Sequence, residues 1–243
     1  MENYKDFLFR INSLSKSGLF SDEQHLLPSK SIFRKVDNNN HFRDFFGDTI
    51  VFDLDHTSKE KVFCIIKKLY SSSEECFCEQ LLKNTLHMTL HDLSNSNMLK
   101  DIEAKINMNQ NMLKSSLLKH PIQSQTIKMK TYSIINMVNI SLVLLLCPTD
   151  ENEYSKLMYI YHLINEIKPL PYPFTPHITL AYYNFHGFNE TSIHKLKNTV
   201  HNLNKESFEI TLNTDKLIYQ NFSSMNNYEN VFYLIWYSDR KNL

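Results

Sequence analysis

The chain has 243 residues, 42% of them hydrophobic and 21% charged, and its acids and bases balance to a formal net charge of zero. That size and composition suit one large domain or two joined lobes around a substantial core. They exclude a polyelectrolyte surface for long nucleic acid, and with only three glycines no Gly-rich phosphate loop can form.

Phe7, Leu8, Ile11 and Leu14 stand at helical spacing, which predicts a short helix over residues 1–15. Residues 16–47 are polar and turn-rich around Pro28 and Asn38-Asn39-Asn40, and they read as an arm laid on the body by Phe33, Phe42, Phe45 and Phe46. Arg43 in this arm is a candidate substrate contact, although a single loop arginine is as simply a solvated one. Thr49–Leu54 is a β-branched, apolar strand, and Thr57 with Glu60 resembles the capping start of a helix running to Tyr70. Further expected elements are a helical piece at 73–84, a strand at 86–90, a loop at 92–97, a helix at 98–119 and a strand at 127–137. Ile140–Leu146 is expected as a buried strand. An acid-marked helix to Ile167 follows, then a proline-rich connection from Pro169 to Pro176. The remaining expectations are a strand opening at His177, a helix at 190–203 and strands at 208–212, 216–222 and 231–237.

Two of these strands share a motif. Leu86-His87-Met88-Thr89-Leu90 and Pro176-His177-Ile178-Thr179-Leu180 both contain His-x-Thr-Leu with an apolar residue at x. On a strand, His and Thr at i and i+2 point to one face, so each copy sets an imidazole beside a hydroxyl. One chance occurrence is expected about a tenth of the time at this composition, so two point to design. His87 follows Val51 by 36 residues and His177 follows Leu142 by 35, each across a strand and a helix. That is a duplicated architecture, with half-chains of about 48–138 and 139–243 after an N-terminal region of 1–47. Packed about a pseudo-twofold axis, the two His/Thr faces would line one cleft.

Paired histidines suit general acid–base catalysis near neutral pH, and threonine hydroxyls can donate to phosphoryl oxygens. Thr does not hold zinc, so His-x-Thr is a poor metal pattern and neither metal nor cofactor is expected. His91 would share the face of His87 and Thr89 if the strand continued, as a substrate contact, a metal ligand beside His87 or an idle rim residue. Tyr182 and Tyr183 are candidates to stack on a base, or simply to pack within their strand. Cys64, Cys76, Cys78 and Cys147 lack zinc-knuckle spacing and are expected as reduced, mostly buried thiols. The acidic N-terminus has no apolar leader, and the longest apolar run, Leu142–Cys147, is too short for a bilayer. A cytoplasmic monomer without membrane or protein partner is the expectation.

The two motifs, their separation and the flanking strand–helix order resemble the two-histidine (2H) phosphoesterase superfamily, the LigT-like group of RNA cyclic phosphodiesterases and 2′-5′ RNA ligase-type proteins. The resemblance covers about Phe46 to Tyr237. It implies an α+β fold of two lobes with largely antiparallel sheets flanked by helices. It also implies metal-independent cleavage of 2′,3′-cyclic phosphates or 2′-5′ linkages, on RNA ends or small nucleotides. His87 and His177 match the catalytic pair, and Thr89 and Thr179 the phosphate-binding hydroxyls. Ligation, or binding without turnover on the same fold, are the alternatives.

Overall fold

The apolar runs at Thr49–Phe52 and Leu142–Leu146 are buried on both faces, and each forms an inner strand of a four-stranded antiparallel sheet. The structure, a computed structural model, describes residues 2–17, 19–20 and 25–235. In chain order its elements are α1 (Tyr4–Lys16), β1 (His25–Leu26), β2 (Phe46–Asp53), α2 (His56–Ser73), β3 (His87–Ser96), α3 (Glu103–Lys119), β4 (Thr126–Met137), β5 (Ser141–Pro148), α4 (Glu151–Asn165), β6 (His177–Tyr182), β7 (Phe188–Asn189), α5 (Glu190–Leu203), β8 (Glu209–Asn213), β9 (Leu217–Ser224) and β10 (Asn227–Tyr233). One sheet has the order β10-β9-β2-β3 and the other β8-β4-β5-β6. The two orders correspond position for position, with the His-x-Thr strands β3 and β6 at matching edges. The fold is therefore an α+β duplication of two lobes.

The lobes do not divide at residue 138. β4, in the expected first half, pairs with β5 and β8 in the second sheet, whereas β9 and β10 return to pair with β2 in the first. Duplication of the strand–helix–strand core is visible in sequence, but which outer strand joins which sheet depends on long-range pairing.

Local differences have local causes. Asp55, not Thr57, caps α2, its carboxylate accepting from the Ser58 backbone N–H at 2.7 Å. The expected helical piece at 73–84 is instead two 3-10 turns, Glu74–Cys76 and Lys83–Thr85, separated by an extended stretch that bridges Phe77 to Tyr183. β3 runs on through the expected loop at 92–97 because β2 is long enough to pair it as far as Ser96. A 3-10 turn at Leu99–Asp101 delays α3 to Glu103. β10 begins at Asn227, earlier than the expected 231, and Trp236 and Tyr237 lie outside the described residues, as do Met1 of the first helix and residues 18 and 21–24 of the arm.

The arm is ordered by pairing with both lobes. β1 pairs with β7 of the second lobe, at Gly187, where φ is +76° and any side chain would meet the Leu26 carbonyl. Further along, the Phe45 backbone N–H donates to Ser223 of the first lobe at 3.0 Å, and Phe185 N–H donates to the Asn40 side chain at 2.8 Å. Among the described residues no helix is long and apolar enough to cross a membrane.

Candidate active site

Each catalytic candidate sits at the first residue of its strand. His87 pairs with Asp53 and His177 with Leu145, both on inner strands. Met88 and Ile178 point into the core, while His87, Thr89, His177 and Thr179 are half-buried on the opposite face. β3 and β6 are edge strands that lie against each other, so the two half-sites meet along one seam.

The imidazoles are held identically. His87 Nδ1 lies 2.7 Å from the Thr85 carbonyl and His177 Nδ1 lies 2.7 Å from the Thr175 carbonyl. A carbonyl only accepts, so each Nδ1 carries the proton and donates it. In the neutral ring this fixes the tautomer that leaves a lone pair on Nε2. Among the described residues neither Nε2, nor the Thr89 hydroxyl, has a hydrogen-bond partner. The Thr179 hydroxyl lies against the Tyr182 phenol. Burial pushes both histidines below the usual imidazole value of 6.5, opposed by the carbonyl bonds and by the charge of Asp92.

Asp92 reaches the site through a bulge. The register of β3 steps from His91–Ile50 to Thr89–Val51, leaving Leu90 as an extra residue. The same step occurs in β6, from Ala181–Leu142 to Thr179–Val143, with Leu180 extra. Past each bulge the faces exchange. His91, expected beside His87, takes the side of Ile50 and is buried. Its Nδ1 donates to the Asp92 carbonyl at 3.0 Å, its Nε2 meets Asn165 Oδ1 at 3.2 Å, and its ring stacks on Tyr161. Both nitrogens are engaged, so His91 cannot join His87 as a ligand or contact substrate. The residue five beyond each histidine takes the cleft face instead: Asp92 in one half, Tyr182 in the other. Asp92 acts electrostatically on both imidazoles, on Tyr182 and on Tyr228.

The other candidates divide. Tyr182 lies on the face of Thr179, its phenol 3.4 Å from Lys35 Nζ and its ring edge-on to Phe42. Tyr183 points the other way, into a core of Phe20, Phe77 and Phe188, and its hydroxyl donates to Asn136 Oδ1 at 3.1 Å. Arg43 is exposed, and its guanidinium donates to the Phe33 carbonyl at 3.0 Å. The cation that meets the Tyr182 phenol is Lys35.

Two further residues join the site without a signal in the sequence. Tyr228 of β10 meets the His87 ring edge-on at 5.0 Å, and continues through Phe222 to Phe45 as an aromatic wall. Phe222 can lie flat there because Gly47, opposite it, has no Cβ to collide with its ring. Arg10 of α1 donates at 2.8 Å to both the Thr175 hydroxyl and the Phe174 carbonyl, fixing the loop whose next carbonyl holds His177. The Thr85 and Thr175 positions do carry a legible trace: the repeat is Thr-x-His-x-Thr-Leu in both copies.

Thirty chains of known structure match this fold. A conserved protein of unknown function from Agrobacterium tumefaciens, ATU0111, has a TM-score of 0.66 at 11% identity, covering 93% of this chain and 98% of that one. Escherichia coli LigT complexed with 3′-AMP has a TM-score of 0.46 at 12% identity, covering 78% of this chain and 97% of LigT. LigT complexed with phosphate has a TM-score of 0.45 at 15% identity, covering 78% and 96%. The first likeness is one of fold alone, and the LigT overlays are too loose to carry an argument about chemistry. No protein-family description and no curated protein matches the sequence.

Proposed function

We propose that this chain is a two-histidine phosphoesterase that opens 2′,3′-cyclic phosphates on RNA ends or nucleotides. The observation that carries the reading is the pair of Nδ1-anchored imidazoles on facing half-sites, each with an unpartnered Nε2 and a threonine hydroxyl two residues on.

In-line attack at phosphorus needs a base on one side and an acid on the other. One neutral imidazole removes a proton from water through Nε2 as the oxygen bonds to phosphorus. The other, protonated on Nε2, gives its proton to the ribose oxygen as the P–O bond breaks. Solvent then restores both rings. Thr89 and Thr179 donate to the non-bridging oxygens, and the Thr85 and Thr175 carbonyls stabilise whichever imidazolium is present. All of these groups are side chains or carbonyls of this chain, so the rate is expected to persist in EDTA. Activity lost to EDTA and restored by a divalent metal would overturn this mechanism.

A panel of nucleoside 2′,3′-cyclic monophosphates, 2′-5′ dinucleotides and RNA with cyclic-phosphate ends tests the substrate class. The proposal expects turnover of the cyclic phosphates. Turnover of 2′-5′ dinucleotides alone would replace it with the linkage-cleaving or joining reading. Binding of RNA ends, equal in wild type and His87→Ala/His177→Ala and without turnover, would leave only a binding module.

A further inference from the structure

Lys35 lies in the arm, just past the 3-10 turn Lys30–Arg34. Its neighbour Arg34 turns outward, donating to Asn95 and Asn97, whereas the half-buried Lys35 turns in. There Nζ is 3.4 Å from the Tyr182 hydroxyl and 4.9 Å from its ring centre, with Phe45 on another side at 5.3 Å. Among the described residues no carboxylate lies within ion-pairing distance of it. Removing an ammonium partly from water, without a countercharge beside it, is unfavourable. Burial accordingly lowers its pKa, opposed by the charge of Asp92.

The position is also rigid. Lys35 N–H donates to the Ile32 carbonyl at 2.8 Å, its own carbonyl accepts from Arg43 N–H at 3.0 Å, and the Arg34 carbonyl accepts from Asn97 Nδ2 at 2.6 Å. A fixed backbone on both sides aims the side chain at Tyr182, and Tyr182 leads to Thr179. A structural lysine needs no such aim, because its stem can pack while its head reaches water.

We propose that Lys35 is an anion-binding residue of the active site, its ammonium pairing with a non-bridging oxygen of the substrate phosphoryl group on the His177–Thr179 side. The inference rests on the phosphoesterase reading and extends it. It makes the N-terminal arm part of the site, and it separates the two half-sites chemically. The cation acting on His177 is Lys35, which among the described residues has no carboxylate beside it, whereas the cation acting on His87, Lys59, is already paired with Asp53 at 2.6 Å. A phosphoryl group carries at least one negative charge throughout the reaction, and a preorganised ammonium lowers the barrier as charge shifts among its oxygens.

Lys35→Met keeps the stem and removes the charge, Lys35→Arg keeps a charge, and Thr179→Val serves as the reference lesion. Each is assayed for kcat/KM on a nucleoside 2′,3′-cyclic monophosphate, for binding of inorganic phosphate and for Tm. The expected result is a loss of about 10²-fold in kcat/KM for Lys35→Met, weaker phosphate binding, an unchanged Tm and substantial recovery in Lys35→Arg. If Lys35→Met keeps wild-type kcat/KM while Thr179→Val loses it, the site reading stands and the Lys35 proposal falls. If both Lys35 variants lose activity and Tm together, the role is structural and the proposal falls. If the wild-type protein neither binds phosphate nor opens any cyclic phosphate, the underlying reading fails first.

Discussion

At His87 and His177 the Nδ1–H is committed to a carbonyl two residues back, which leaves Nε2 as the reactive nitrogen in both rings. Removing either imidazole is expected to lower kcat by roughly 10²–10⁴-fold, the usual contribution of a positioned acid or base. Thr89→Val and Thr179→Val remove a donor without changing shape, and each is expected to cost about 10–10²-fold, read mainly in kcat. The pH dependence follows from burial. Both free-enzyme imidazoles lie below 6.5, so the bell of kcat/KM, bounded by one ring that must be neutral and one that must be charged, is centred on the acid side of 6.5. An optimum above about pH 8 would show that other groups carry the proton. At this scale the two histidines and threonines were legible because a two-residue period places them whatever the tertiary fold. Asp92 and Tyr182 as partners were not, because the bulges at Leu90 and Leu180 invert the period just beyond the motif. Lys35 was not legible either, since it comes from a segment without periodicity.

At the scale of elements, two connections make definite claims. The β4–β5 hairpin turns through Val138 and Asn139 at φ +47° and +57°, a left-handed pair that suits Asn or Gly and not a β-branched residue. Val138 is exposed, so Val138→Asn removes strain without removing packing, and a gain of about 1 kcal/mol is expected in denaturant unfolding. Asp48 in β2 is buried and accepts from Ser94 N–H at 2.8 Å, Tyr219 Oη at 2.9 Å and Asn109 Nδ2 at 3.0 Å, tying α3 and β9 to the inner strand. Asp48→Ala strands three buried donors, and a loss of about 3 kcal/mol is expected by the same measurement. Loss under about 0.5 kcal/mol would mean that water or a neighbour satisfies them. All five helices were legible in the sequence, α3 from a start set a few residues early, because apolar stripes and first turns are local. The segment at 73–84 looked helical, yet Phe77 is drawn out to bridge Tyr183, a contact between lobes that no local propensity reports.

For the whole molecule, the exchange of outer strands means that neither half-chain contains a complete sheet. Fragments cut between 138 and 139 are expected to remain unfolded when expressed separately, by circular dichroism, while the intact chain unfolds in one transition. His87, His91 and His177 all have pKa values lowered by burial, so the unfolded chain binds protons that the native one refuses. Their contribution to stability is complete above 6.5 and is lost as pH falls through the lowered values, which a series of Tm measurements from pH 7.5 to 5 reads directly. Pseudo-symmetry was legible in the spacing of the motifs. The asymmetry was not, because Arg10 and Lys35 both come from the N-terminal region and both contact the His177 half. In the proposed reaction the two imidazoles act as one acid–base unit. The measurement is kcat on RNA ending in a 2′,3′-cyclic phosphate for wild type, His87→Ala, His177→Ala and the double variant. Each single variant is expected to lose nearly as much as the double, because either ring is idle without the other. Losses that multiply, or a single variant that retains wild-type turnover, would contradict this.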